Sequence, residues 1–392
     1  MNLPLNIPKD IDKYFYNRKY DLKRMNSYLK MLNEGIPNQI MITGYRAVGK
    51  TFFIKKVLND QPDNILTSYI DLSKVRGKEY GGITEEEVLK ELLKEINNTL
   101  LNHENKLAKI KDKILYWIKQ IPLKNYNFTN SEKFLNIPIP EIKDNYSVLS
   151  EFVMELPQKI VDESSDVDGF IIVIDEFQNL KNLKKPDAFF WLLRSYSQIQ
   201  YNVSYIFTGS ISNTSDIISM INGPTGAYGG RMIQINLEPF TEEETFNYVN
   251  ERTDIKFTNN GFEEFYNLTR GMPSYINSFC NVLDSNEEYD ENLIKETFLC
   301  KIDQINVLWL TIWGSFSSKE KIIIINLLEH DELSWSELIE LIPFSKSTIL
   351  KYIDILNNRG IIDHYYNKYV IADNMLKLWL NYKKEMEGHY PS

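Results

Sequence analysis

The sequence predicts an α/β protein: a parallel β-sheet covered by helices, then an all-helical part, then a small unit of three helices and a hairpin. Three observations carry that reading. Five short β-branched and apolar runs, at residues 39–43, 65–72, 170–174, 203–208 and 232–237, have the composition of strands buried on both faces. Helix-period stretches separate them, and strands alternating with helices make a parallel sheet. After the fifth run the apolar spacing stays helical to about Trp313, and beyond it the rhythm changes again.

The first run leads into a glycine-rich loop and a helix over residues 50–58. The interval from 72 to 170 is too long for one crossover. Within it Thr84 and Glu87 form a capping-box pair, and Leu89, Leu92, Leu93, Ile96 and Leu100 follow at helical spacing. A second amphipathic stretch carries Leu107, Ile110, Ile114, Ile118 and Ile121. Residues 122–144 hold Pro122, Pro138 and Pro140 and read as irregular. Residues 80–165 are therefore expected to be an insertion packed on the edge of the sheet, with no legible function.

Thr241 and Glu244 form another capping box and open a helical stretch expected to lack strands. Ser317 and Glu320 cap the first helix of the last part. Residues 336–342 and 345–360 give the second and third helices, and 361–365 pairs with 369–371 around Asn367 as a hairpin. That order is a winged helix-turn-helix. The expected division is a core over 1–240, a helical lid over 241–313 and a winged helix over 314–392.

Composition narrows the functional classes. At roughly 150 residues per domain, the length suits two or three domains. The net charge of −10 excludes a bulk nucleic-acid coat, so any DNA contact needs a local basic patch. Two cysteines, Cys280 and Cys300, are too few for a disulfide framework or a four-ligand zinc site. The apolar runs fall far short of the about 20 residues that a membrane span needs. No charged-then-apolar signal opens the chain, so a cytoplasmic protein without membrane contact is expected.

The strongest motif is Gly44-Tyr45-Arg46-Ala47-Val48-Gly49-Lys50-Thr51, which fits G-x-x-x-x-G-K-[ST] between a strand and a helix. Its glycines permit a tight loop whose N–H groups converge on phosphates, with the positive end of the following helix dipole behind them. Lys50 is expected to reach the β- and γ-phosphates, and Thr51 to offer a hydroxyl to Mg²⁺. The second motif is an apolar strand ending in Asp175 and Glu176, at the sheet edge where ligands bind. Asp175 would hold Mg²⁺ opposite Thr51, and Glu176 would act as general base on water. The guanine-reading Asn-Lys-x-Asp pattern fails at Val370 of Asn367-Lys368-Tyr369-Val370, so ATP is preferred to GTP. Thr208 or Ser210, at the tip of the next strand, either senses a γ-phosphate or merely turns the chain. Arg231, after Gly229 and Gly230, either stabilises γ-phosphate charge, in its own chain or a neighbour's, or makes a surface ion pair.

Taken together these residues resemble the archaeal-type P-loop ATPases of the STAND class, relatives of the AAA+ and origin-initiator ATPases, over most of the chain outside the insertion. The resemblance includes Phe15-Tyr16-Asn17-Arg18, Arg46, Asp175-Glu176-Phe177-Gln178, Thr208-Gly209-Ser210, Tyr228-Gly229-Gly230-Arg231 and Gly271-Met272-Pro273. It extends to Tyr369-Val370-Ile371-Ala372-Asp373 and Leu376-Lys377-Leu378-Trp379 at the winged-helix end. It implies a P-loop sheet of the ASCE or AAA+ kind, ATP with Mg²⁺, and hydrolysis assisted by Glu176, Lys50, Ser210 and Arg231. It implies nucleotide contact along the loop from Gly44 through Phe52, near the adenine at Arg18, and in the lid at Pro273. In the family one glycine often precedes the arginine. Here two do, which leaves the aim of Arg231 open. Some relatives continue into a nuclease-like domain; the sequence stops at Ser392, so that activity is not implied.

Two purposes remain open. A lid and winged helix closing over ATP would make a molecular switch facing a protein partner or another copy of the chain. Alternatively, Ser345, Lys346, Ser347, Thr348 and Lys351 suit the start of a DNA-reading helix. Against that stand Asp354, Asp363, Asp373, Glu329, Asp331, Glu332, Glu337 and Glu340.

Overall fold

The structure is a computed structural model, which describes residues 3–78, 82–120, 146–209, 221–224, 226–305, 312–358 and 361–391. All five expected strands are present: β1 (Ile40–Gly44), β2 (Ile65–Asp71), β3 (Gly169–Asp175), β4 (Val203–Thr208) and β5 (Ile233–Leu237). They form one sheet in the order β2-β3-β4-β1-β5, and every neighbouring pair is parallel. The three central strands are buried at every position, which is why their sequences are nearly unbroken apolar runs.

Alternation along β3 divides the core. Phe170, Ile172 and Ile174 face a layer built from the helices Glu85–Asn102, Tyr146–Glu163 and Pro186–Ile199, through Leu89, Leu92, Phe152, Leu156, Phe189 and Leu193. Ile171 and Val173 face the opposite layer, where Met25 and Leu29 from Lys19–Lys30 meet Phe53, Ile54 and Val57 from Lys50–Asn59. The helix Glu85–Asn102 begins with the expected capping box, Glu87 N–H donating to Thr84 Oγ1 and Thr84 N–H to Glu87 Oε2. The next amphipathic stretch buries Leu107, Ile110 and Ile114. The Ile118 side chain and residues 121–145, with the expected irregular segment, lie outside the described residues.

Beyond β5 come the helices Glu242–Arg252, Asn259–Thr269, Pro273–Cys280 and Glu291–Ile305. Strands were not expected here. Two short ones, β6 (Lys256–Phe257) and β7 (Glu288–Tyr289), nevertheless pair in parallel, because Phe257 and Tyr289 pack together with ring centres 6.1 Å apart. The last part holds the helices Ser318–His330, Trp335–Leu341 and Lys346–Asn358. Its hairpin, β9 (Ile362–Tyr365) with β10 (Lys368–Ile371), turns at Tyr366 and Asn367, both at positive φ, as a two-residue hairpin loop requires. A third strand, β8 (Glu332–Ser334), joins β10.

A further helix, Asn374–Glu387, was not foreseen as an element. Asp373 caps it, accepting the Leu376 N–H at 3.0 Å, and it buries Met375, Leu376, Trp379 and Leu380. Trp379 packs edge-on against Trp313 and donates to Asp303 Oδ1 at 3.1 Å. One hydrophobic cluster therefore runs from Phe240 and Phe265 through Phe298 and Trp313 to Ile353 and Trp379. The helices after β5 and the last part share a core. Among the described residues no helix is long and apolar enough to cross a membrane.

Gly271 controls where the all-helical part meets the sheet. Its φ is +68°, its carbonyl accepts the Phe240 N–H at 2.9 Å, and an added Cβ would lie 1.9 Å from the Phe240 carbonyl oxygen. Gly271→Ala is expected to cost about 2 kcal/mol or more, from backbone strain plus that clash. Urea unfolding measures it; an unchanged midpoint would show that this junction tolerates a side chain.

Candidate active site

The parallel sheet brings the chemical residues together because the ends of β1, β3 and β4 all lie at one edge. Residues 44–49 leave β1 and enter the helix Lys50–Asn59 through Gly49 at φ +93°, a conformation open to glycine and strained for other residues. Lys50 is buried, its ammonium donating to the carbonyls of Gly44 (3.0 Å) and Tyr45 (2.8 Å). Burial pulls its pKa down to about 8, against the opposing pull of the Glu176 and Asp175 carboxylates.

β4 lies between β1 and β3, and its register sets Thr208 beside Asp175 on one side and Ile42 on the other. The buried Asp175 carboxylate is fully engaged. Oδ2 accepts from Thr51 Oγ1 at 3.0 Å and from the Tyr69 hydroxyl; Oδ1 accepts from Thr208 Oγ1 and, at 2.9 Å, from the Glu176 N–H. Tyr69 stands on β2, with the Lys55 ammonium over its ring. Burial and the nearby Asp175 charge hold its hydroxyl far above the usual phenol range.

Glu176 follows at φ +56°, a left-handed conformation that is uncommon for a non-glycine residue. This sharp turn sends two successive carboxylates to different places: Asp175 to Thr51, Glu176 to the cavity beside Lys50. Gln178 Nε2 donates to Glu176 Oε2, and Asn179 Nδ2 donates to the Glu176 carbonyl at 3.0 Å. Burial and the Asp175 charge raise the Glu176 pKa, while Lys50 and the Gln178 amide draw it down.

The cavity has a volume of about 340 Å³ and is lined by Arg46, Ala47, Gly49, Lys50, Thr51, Phe52 and Glu176. Pro273, Ser274 and Asn277, from the helix Pro273–Cys280, complete it with residues 4–7. The Ser274 N–H donates to the Ala47 carbonyl at 3.3 Å. A second, smaller cavity of about 80 Å³ joins Tyr45 and Arg46 to Met272, Tyr275, Asp373 and Met375. The Tyr275 hydroxyl donates to Asp373 Oδ2 at 2.6 Å. On the hairpin, burial and the neighbouring Tyr45 hydroxyl push the Tyr365 hydroxyl upward.

Most of the expected site residues meet here; three do not. Arg18 does not line the cavity. It lies behind the loop, donating to the Val48 carbonyl at 3.1 Å with its guanidinium over the Phe240 ring, and burial lowers its pKa. Arg231 is exposed at the opposite edge of the sheet. It precedes β5, β5 runs parallel to β1, and Ile233 pairs with Ile40 at the strand start while Leu237 pairs with Gly44. The expectation that Gly229 and Gly230 deliver it to the ligand edge of its own sheet fails for that reason. Among the described residues it makes no ion pair. Ser210 lies outside the described residues. Tyr69, Gln178 and residues 4–7 were not singled out as site residues; in β2 (Ile65–Asp71), Tyr69 stands among Thr67, Ser68 and Asp71, so no local signal marks it.

The oxygen donors of Thr51 and Asp175, facing each other across 3.0 Å, suit a hard divalent cation that also binds phosphate. Among the described residues there is no cluster of three or more His, Cys, Asp or Glu able to hold a metal by itself.

Comparison with known proteins bears on this geometry. Residues 15–279 match the family model of an ATPase domain predominantly from Archaea. The Walker-type ATPase PABY2304 of Pyrococcus abyssi is similar in structure, with 19% identity, a TM-score of 0.66, and coverage of 96% of this chain and 99% of that one. The Aeropyrum pernix ORC1 protein, solved in complex with DNA, is similar with 12% identity, a TM-score of 0.51, and coverage of 98% and 96%. At these identities the likeness is one of fold. No curated protein sequence matches significantly.

Replacing Lys50 by alanine removes the ammonium that the Gly44 and Tyr45 carbonyls hold within the loop. Lys50→Ala is expected to weaken ADP binding about a hundredfold, the ~3 kcal/mol of a charge-assisted hydrogen bond in a buried site. Calorimetric titration measures this; affinity within about threefold of wild type would remove Lys50 from the phosphate site.

Proposed function

This chain belongs to the ATPase domain family predominantly from Archaea, and from that premise we propose that it is a cytoplasmic, Mg²⁺-dependent molecular switch driven by ATP hydrolysis. The observation that carries the reading is the composition of one cavity. The phosphate loop and the Pro273–Cys280 helix both line it, and that helix shares its core with the C-terminal helices. A nucleotide there would touch both parts. In this reading residues 1–240 form the ATPase core, 241–313 the lid, and 314–392 a winged-helix module of the STAND kind.

The residues divide the chemistry as follows. Lys50 exchanges its bonds to the Gly44 and Tyr45 carbonyls for β- and γ-phosphate oxygens. The loop from Gly44 to Phe52 supplies N–H groups, and Pro273 closes the far side. Thr51 and Asp175 would hold Mg²⁺, which when bound neutralises charge on the phosphate oxygens. Glu176 orients a water and takes its proton as the oxygen attacks the γ-phosphorus; the bond to the bridging oxygen breaks, and ADP and phosphate result. Thr208 donates to Asp175, and we assign it the sensing of the γ-phosphate; the same task is assigned to Ser210 from sequence alone. Arg231 stands too far from its own site to act there, so a charge-stabilising role would be exerted in the site of a second copy of the chain.

A second reading, ATP-gated DNA binding, has its own support. Lys346 and Lys351 are exposed along one helix, and the hairpin tip bears the fully exposed Tyr366. The ORC1 relative of similar fold was solved with DNA. Steady-state ATP turnover with and without duplex DNA separates the two. DNA stimulation that is lost in Lys346→Glu with Lys351→Glu favours the second; indifference to DNA favours the switch.

The catalytic assignment has a separate test. Glu176→Gln is expected to lower ATP turnover by about 10²–10⁴-fold while ATP affinity stays within about threefold. Turnover equal to wild type would disqualify Glu176 as the base.

A further inference from the structure

The helices Lys111–Gln120, Tyr146–Glu163 and Pro186–Ile199 meet around a cavity that the nucleotide chemistry does not use. Its volume is about 210 Å³, and no described residue lines both it and the phosphate cavity. Trp117, Tyr196 and Ile199 supply its apolar walls. A neighbouring cavity of about 470 Å³ also reaches Trp117, so the groove continues past that ring.

Most polar groups at this cavity already have partners. Gln158 Nε2 donates to Asp162 Oδ1 at 2.8 Å, and the Lys159 ammonium pairs with Glu163 at 2.9 Å. Gln200 is committed at both ends: Nε2 donates to the Met154 carbonyl at 2.5 Å, and Oε1 accepts from the Tyr205 hydroxyl at 3.1 Å. Glu155 is the exception. It is half-buried against the cavity, and among the described residues its carboxylate has no hydrogen bond or ion pair. Burial and the neighbouring Glu151 charge push its pKa up, and Lys159 opposes them. Burial, then the charges of Glu155 and Glu151, push the Tyr196 hydroxyl up to about 12, so both carboxylates lie close to that ring.

Aromatic walls beside an unpaired carboxylate have a defined chemical complement. A guanidinium is planar, stacks on indole and phenol rings, and donates charge-assisted bonds to a carboxylate. An ammonium would gain the charge without the planar stacking, and a neutral apolar ligand would bury Glu155 uncompensated. The surroundings suit a side chain carried on a protein surface rather than a free small cation. Tyr116 is 69% exposed in the adjoining cavity, and Ile199 is 63% exposed at the rim. Exposed aromatic and aliphatic groups beside a pocket are what protein interfaces concentrate.

We propose that the cavity of Trp117, Tyr196 and Glu155 is a docking site for an arginine side chain of a partner protein. This site is separate from the nucleotide cavity and does not depend on the reading of that cavity.

The probe is a capped Ala-Arg-Ala tripeptide, with its citrulline analogue as the control that keeps the shape and loses the charge. The full chain holds 6 tryptophans, so labelling with fluorotryptophan gives a short fluorine NMR spectrum in which Trp117→Phe assigns the signal at the cavity. The expected result is a saturable shift of that signal by the arginine peptide, with a Kd on the order of 1 mM for one stacked and ion-paired guanidinium. Glu155→Gln should weaken the binding about tenfold or more without lowering the thermal midpoint, since it removes an unpaired charge and keeps the shape. The absence of a saturable shift overturns the inference. So does citrulline peptide binding as tightly as arginine peptide, or a Glu155→Gln chain that binds like wild type. A lysine tripeptide of equal affinity overturns the guanidinium assignment. Self-association of the wild-type chain in sedimentation, abolished by Glu155→Gln, overturns the partner protein in favour of a second copy.

Discussion

The site depends on one buried carboxylate. Asp175 ends a strand that is buried at all its positions, and a carboxylate there is tolerable only if its lone pairs are satisfied. The donors come from four parts of the fold: Thr51 on the helix after the loop, Tyr69 on β2, Thr208 on β4, and the Glu176 N–H at the turn out of β3. A hydrogen bond to a charged acceptor is worth roughly 1.5–3 kcal/mol, so the set offsets a desolvation cost of several kcal/mol. In doing so it fixes the helix carrying Lys50 against the sheet. It also forces the left-handed turn that swings Glu176 toward Lys50. A cation between Thr51 and Asp175 would have to displace part of this network, so the same bonds that organise the resting site set the terms on which a metal enters it.

The second constraint is continuity between lid and C-terminal part. They share a hydrophobic cluster, and the Trp379–Asp303 and Lys383–Asp303 contacts reinforce it. The lid in turn touches the phosphate loop through Ser274 and Ala47, and the Tyr275–Asp373 bond lies one helix cap away from the C-terminal helix. Rotating the lid relative to the sheet therefore carries the C-terminal helices with it. If the proposed switch operates, it would do so as a rigid-body movement about the junction at Gly271, where the backbone approaches Phe240 too closely for any side chain.

The sheet and the heart of the site could be read in the sequence because their signals are local. Unbroken apolar runs mark strands buried on both faces, and the Gly44–Thr51 pattern and the Asp175-Glu176 pair are contiguous strings. What escaped depends on relations between distant segments. Arg231, whose aim the sequence left open, precedes a strand parallel to β1 and so lies at the edge away from the ligand. Arg18 was expected near the base and instead braces the loop from behind. Tyr69 reaches Asp175 only because β2 neighbours β3, which no local pattern encodes. Residues 4–7 are an undistinguished string whose place is set by two asparagines some 270 residues later. The helix Asn374–Glu387 was hidden because its apolar face completes a shared core rather than a unit of its own.

The most direct test of the account is hydrogen exchange on the Glu176→Gln chain, comparing the nucleotide-free, ADP-bound and ATP-bound forms. If the nucleotide is held jointly by loop and lid, slower exchange will appear in Pro273–Cys280 and at residues 373–376 as well as in the loop, and will differ between ADP and ATP. Protection confined to residues 44–52 in both nucleotide states would contradict the coupling on which the switch depends.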